Sequence, residues 1–136
     1  MRLFLDANIL FAAAWQEGRA RALFILGARG ACVLLTSPHA LLEARRNLQA
    51  KRPEALPVLD SLLRWVTVVP EAGPGQVQAA LDWGLPLKDA PILAAAWEAG
   101  ATALVTGDRQ HFGHLLGKQP EGLRVISLKE ALEALL

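Results

Sequence analysis

Five short apolar runs, "RLFL", "CVLLT", "VTVV", "TALVT" and "RVISL", recur along the chain with helix-patterned stretches between them. No other feature restricts the fold as much. An apolar run of four or five residues fits a strand covered on both faces, and strands separated by helices pair in parallel. The expected architecture is an α/β fold: a three-layer α/β/α sandwich around a mostly parallel five-stranded sheet. It is expected to form one domain over residues 1–136. Spacing alone leaves the strand order open.

The intervening stretches carry their own punctuation. "ANILFAAAW" has helical character, and "RARALFILGARG" is a helix ending on glycine. "SPHALLEARRNLQAK" opens with Ser37 as N-cap and Pro38 in the first helical position. "EALPVLDSLLRW" reads as one further helix. "GQVQAALDWG" and "DAPILAAAWEAG" are two more, each closed by a glycine, and "KEALEALL" is the terminal helix.

Composition removes several classes of function. With 53% hydrophobic and 20% charged residues the chain builds a packed core. A net charge of +1 is too small to attract nucleic acid or a membrane by bulk electrostatics. The charge is split, however: residues 1–68 hold nine Lys/Arg against five Asp/Glu, and residues 69–136 hold five against eight. A single cysteine, Cys32, excludes an intramolecular disulfide framework and a Cys-rich zinc site. The opening residues carry no basic-then-apolar leader pattern, and no apolar run reaches the ~18 residues of a membrane span. A cytoplasmic protein without a membrane partner is expected.

The strands do not end innocently. "RLFL" stops on Asp6, and "TALVT" is followed after Gly107 by Asp108. Glu43 sits in the second turn of the helix after the second strand, and Asp89 opens the helix leading into the fourth. In a parallel sheet the strands end on one edge, where ligands bind. All four acids are therefore expected on one rim. Each has an ordinary alternative as an Asx-turn, a helix cap or a solvated surface acid. Asp89 shares its helical face with Ile92, Leu93 and Ala96, which turns it inward. Four such acids on one edge point to a single acidic site.

Crowded carboxylates raise one another's pKa unless a cation sits among them. With oxygen ligands and no cysteine set, Mg²⁺ or Mn²⁺ is the natural occupant. Such a site suits hydrolysis of phosphate esters. The chain has neither a G-x-S-x-G nucleophile elbow nor a G-x-x-x-x-G-K-[ST] phosphate loop.

Taken in order, "FLDANILFAA", "SPHALLEARRNL" and "KDAPILAAAWEAGATALVTGDRQHF" resemble the pattern of PIN-domain metal-dependent ribonucleases. The resemblance implies a sheet in the order 3-2-1-4-5 and a Mg²⁺/Mn²⁺ site built from Asp6, Glu43, Asp89 and Asp108. Asn8 and Thr106 match its accessory polar positions. It further implies endonucleolytic cleavage of RNA by in-line attack of a metal-bound water, leaving a 5′-phosphate. Stand-alone domains of this type are often the toxin of a toxin–antitoxin pair (the VapC type), homodimeric and inhibited by a small antitoxin.

Arg45, Arg46, Lys51 and Arg52 lie near the expected site and could contact phosphates, or simply form a solvated helix face. His111 and His114 read as surface or supporting residues rather than metal ligands. Trp15, Trp65, Trp83 and Trp97 read as packing residues rather than base-stacking ones. Two rival functions remain. A haloacid-dehalogenase-type phosphatase would use Asp6 as nucleophile, but its usual second Asp is here Asn8. A non-catalytic module binding RNA or protein is the other.

Overall fold

Leu3, Phe4 and Leu5 follow one another in the first strand, and none is exposed. Successive strand residues point to opposite faces, so the sheet is covered on both. The structure, a computed structural model, describes residues 1–136. Its five strands are β1 (Arg2–Leu5), β2 (Val33–Thr36), β3 (Val66–Val68), β4 (Ala103–Val105) and β5 (Arg124–Ile126). They form one sheet in the order β3-β2-β1-β4-β5, parallel throughout. The expected three-layer sandwich and strand order are both present.

The helices are α1 (Ala7–Trp15), α2 (Arg19–Ala28), α3 (Pro38–Lys51), α4 (Leu56–Leu62), α5 (Pro74–Asp82), α6 (Ala90–Glu98), α7 (Arg109–Phe112) and α8 (Leu128–Leu135). Ser37 caps α3 by accepting from the Ala40 N–H at 3.2 Å, with Pro38 in the first turn. Helix α6 is packed against α5 and buries Ala90 and every residue from Ile92 to Ala96. Its small side chains allow that close approach. Gly84 and Gly100, which follow α5 and α6, adopt positive φ, where a side chain would be strained.

Four local details depart from the sequence reading. The helix expected over "EALPVLDSLLRW" is α4 flanked by single turns of 3₁₀ helix at Pro53–Ala55 and Leu63–Trp65. Strand β3 sits at the sheet edge with Thr67 and Val68 exposed, so its apolar run reflects β propensity more than burial. Strand β5 ends at Ile126, because Ser127 caps α8. Its hydroxyl accepts from the Glu130 N–H while the Glu130 carboxylate accepts from the Ser127 N–H, a reciprocal pair the strand reading overlooked. The segment between β4 and β5, unassigned from sequence, forms α7 and two 3₁₀ turns.

Burial ranks the strands, and unfolding can measure that rank. Leu104→Ala, at a fully buried central position, is expected to cost about 2–5 kcal/mol. Val68→Thr, on the exposed edge, should stay within about 0.5 kcal/mol of wild type. Urea denaturation of both variants checks the contrast; equal losses would contradict the edge placement of β3.

Candidate metal centre

Parallel pairing sets Leu5 beside Val105 in β1 and β4, so the next residues, Asp6 and Thr106, emerge side by side at the carboxyl edge. The ladder runs one step further, with the Asp6 N–H donating to the Val105 carbonyl at 3.1 Å. Asp6 is almost wholly buried. Its Oδ1 accepts from the Ala7 N–H at 2.7 Å, capping α1. Its Oδ2 accepts from the Thr106 hydroxyl at 2.7 Å and from Asn8 Nδ2 at 3.1 Å. The cap and the site acid are thus one residue.

Asn8 and Thr106 hold more than Asp6. Asn8 Oδ1 accepts from the Gly107 N–H at 2.8 Å, and Thr106 Oγ1 accepts from the Asp108 N–H at 3.0 Å. Both accessory residues therefore fix the turn that carries Asp108. Asn8 is spent as a donor and acceptor inside this network, and an amide has no acidic proton to supply to a leaving group.

Asp6, Glu43, Asp89 and Asp108 line one open cleft of about 330 Å³, together with Asn8, Phe11, Asn47 and Lys51. Helix α3 contributes Glu43, Asn47 and Lys51 at four-residue intervals, which places them along one face. Asp89 stands at the start of α6, yet its side chain makes no capping bond there. It is turned inward instead. Across the cleft's rim, His39 Nε2 lies 2.6 Å from the Lys88 carbonyl and joins the start of α3 to the segment before α6.

Burial pushes the Asp6 carboxyl up from 3.8 to about 6, against the hydrogen bonds from Thr106 and Ala7, and the charges of Glu43 and Asp89 add to the rise. Burial likewise raises Asp89, opposed by His111 and Lys88 and reinforced by Asp108 and Glu43. The acids thus sense one another's charge, as expected of a set gathered for a cation. One observation tests that fit directly: Asp89 Oδ2 is buried and receives no well-formed hydrogen bond, although His111 Nδ1 stands 2.9 Å away. A buried carboxylate oxygen without a donor is costly, and a hard cation would satisfy it.

The basic residues divide. Lys51 lines the cleft, its ammonium 5.7 Å from the centre of the Phe11 ring. Arg46 lines an adjoining groove with His39, Glu43 and Lys88. Arg45 is turned to Asp60 of α4 at 2.8 Å. Arg52 donates to the Trp15 carbonyl at 2.8 Å and lies over the Trp15 ring, away from the acids. Among the tryptophans, Trp97 is tied to the Pro120 carbonyl at 2.9 Å, whereas Trp65 and Trp83 are exposed.

His111 is the residue the sequence reading set aside. Its Nδ1 lies 2.9 Å from Asp89 Oδ2 and 3.0 Å from Asp108 Oδ2. Asp108 caps α7 by accepting from the His111 N–H at 3.0 Å, and that first helical turn swings the ring toward the acids. The three-residue spacing from Asp108 was the available signal. His114, by contrast, faces the Trp83 carbonyl at 2.8 Å.

Residues 2–110 match the sequence model of the PIN domain. No curated protein sequence matches the chain. Solved structures share its fold at low identity. A chain of VapBC2 from Rickettsia felis, bound to a DNA fragment from its promoter, superposes with a TM-score of 0.67 at 19% identity, over 93% of this chain and 98% of that one. A chain of DNA-bound VapBC from Salmonella typhimurium gives 0.67 at 20% identity, over 94% and 98%. The sarcin–ricin-loop-cleaving toxin VapC20 from Mycobacterium tuberculosis gives 0.59 at 18% identity, over 79% and 91%.

The raised carboxyl of Asp6 has a measurable consequence for the metal-free protein. A folded-state value above the unfolded one means that the folded chain binds the proton more tightly. The resulting stabilisation is full below pH ~4 and is lost as pH rises through about 6. The loss amounts to about 3 kcal/mol. In EDTA, wild type should therefore lose about that much more stability than Asp6→Asn between pH 4 and 7.5. Parallel pH curves for the two proteins would contradict it.

Proposed function

This chain belongs to the PIN-domain family, and we propose that it is a metal-dependent endoribonuclease, the toxin half of a toxin–antitoxin pair. The observation that carries the reading is the acidic cleft itself: four carboxylates from four separate elements, among them a buried Asp89 oxygen without a well-formed hydrogen bond. A non-catalytic binding module has no use for that arrangement, which costs stability when empty of cations.

Asp6, Glu43, Asp89 and Asp108 would hold Mg²⁺ or Mn²⁺. When bound, such an ion lowers the pKa of a coordinated water and stabilises charge developing on an attacked phosphodiester. The protein's own contribution is placement. Thr106 and Asn8 lock Asp6 in one rotamer, with hydrogen bonds at 2.7 and 3.1 Å, so little ordering remains when the site is filled. Lys51 brings a positive charge to the lip of the cleft, where an RNA phosphate would sit, and Arg46 extends that charge into the next groove. Phosphate contacts carry no sequence information. Target selection would rest on the shape of the RNA presented to the cleft.

The toxin–antitoxin part of the proposal draws on the fold's relatives, VapBC2 and VapBC among them. An antitoxin would silence the enzyme by occupying the cleft or its rim. A homodimer is proposed as the working form.

The test is cleavage of a structured RNA by the purified protein with Mg²⁺ or Mn²⁺. Asp6→Asn, Asp89→Asn and Asp108→Asn should each lose about a hundredfold or more, and EDTA should abolish the activity. Thr106→Val, which removes only a support, should lose about 10- to 100-fold. A phosphoenzyme trapped on Asp6, without RNA cleavage, would transfer the function to phosphate monoesters.

A further inference from the structure

We propose that His111 is a metal ligand, so that the site is a mixed nitrogen–oxygen centre selecting Mn²⁺ over Mg²⁺; the inference rests on the metal-dependent reading above. The donor atoms of Asp89, Asp108 and His111 all lie within 4.8 Å of one another. The two acids are restrained independently of the His111 ring. Asp108 is held through its Oδ1 by the His111 backbone and through its own N–H by Thr106. The Asp89 side chain is only 4% exposed.

The geometry is not that of a salt bridge that has satisfied itself. Nδ1 lies 2.9 and 3.0 Å from the two carboxylate oxygens, which is near enough for hydrogen bonds. Yet neither Asp89 Oδ2 nor His111 Nδ1, both buried, has a well-formed hydrogen bond. All three donor atoms are close enough together to share one ion. Neighbouring ligands ~2.1 Å from an octahedral ion stand ~3.0 Å apart, the spacing found here between Nδ1 and each carboxylate oxygen.

The donor set decides which ion fits. Mg²⁺ takes oxygen ligands and retains water, gaining little from an imidazole. First-row transition ions accept imidazole nitrogen readily, and Mn²⁺ combines that with a tolerance for carboxylates. With Nδ1 as donor to the ion, the ring proton resides on Nε2.

Calorimetric titration of EDTA-stripped protein with MnCl₂ and with MgCl₂ tests the assignment, alongside pulsed EPR of the Mn²⁺-loaded wild type. The expected results are tighter binding of Mn²⁺ by about tenfold or more and a coupling to directly bound nitrogen in the EPR spectrum. His111→Ala should lose about tenfold or more in Mn²⁺ affinity, less than about twofold in Mg²⁺ affinity, and the nitrogen coupling altogether. Loaded wild type without nitrogen coupling would overturn the proposal, and that measurement needs no variant to fold. Equal losses for both ions would also overturn it. So would a gain for both, which would mark His111 as an internal cation competing with the metal. RNA cleavage is scored separately. Nitrogen-bound Mn²⁺ without cleavage would remove the nuclease reading and keep this one, cleavage without nitrogen coupling would do the reverse, and no Mn²⁺ binding would overturn both.

Discussion

Backbone pairing between β1 and β4 decides where every other part of the site must be. Because the two strands run parallel with Leu5 level with Val105, Asp6 and Thr106 leave the sheet together and meet through a 2.7 Å hydrogen bond. A slip of one residue in either strand would turn its side chain to the opposite face and dissolve that contact. Asn8 and Asp108 depend on it in turn, since Thr106 Oγ1 holds the Asp108 N–H and Asn8 spans from Asp6 to Gly107. The ladder extends past both strand ends, with the Thr102 N–H donating to the Arg2 carbonyl at 2.7 Å and the Asp6 N–H to the Val105 carbonyl at 3.1 Å.

Electrostatics sets the opposing force. Asp6 and Asp89 are kept out of water beside the partly exposed Glu43 and Asp108, and the protein's own donors offset only part of the cost. Asp6 receives three such donors and still stands well above an ordinary aspartate. Asp89 Oδ2 is buried beside His111 Nδ1 at 2.9 Å without a well-formed hydrogen bond. The imbalance is confined to this edge; elsewhere Ser37 and Ser127 cap their helices with complete hydrogen bonds, and at the cleft it is what a cation site requires.

Much of this could be read from residue order. The five apolar runs and their intervening helices give the sandwich, because a parallel sheet buries both faces and so needs uninterrupted apolar strands. The four acids are legible because they punctuate those runs. What stayed hidden is what depends on side-chain direction or on several elements at once. Ser127 looked like a strand residue until its reciprocal bonds with Glu130 were seen. Arg45 and Arg52 look no different from Lys51 in sequence, yet Asp60 and Trp15 draw them elsewhere. His111 sits in a segment with no periodicity, and only the short helix begun by Asp108 turns it toward Asp89.

The contact between Asp6 and Thr106 spans 100 residues of sequence. Helices and neighbouring-strand pairs such as β1 with β2 can assemble while the chain is still short, but this contact cannot. Loop closure over that separation becomes favourable only when β4 has slid in beside β1. During synthesis, then, the emerging polypeptide would carry Asp6 and Glu43 for most of its length without a cleft for them to line. The site comes into being late and all at once, as a property of the finished sheet rather than of any fragment of it.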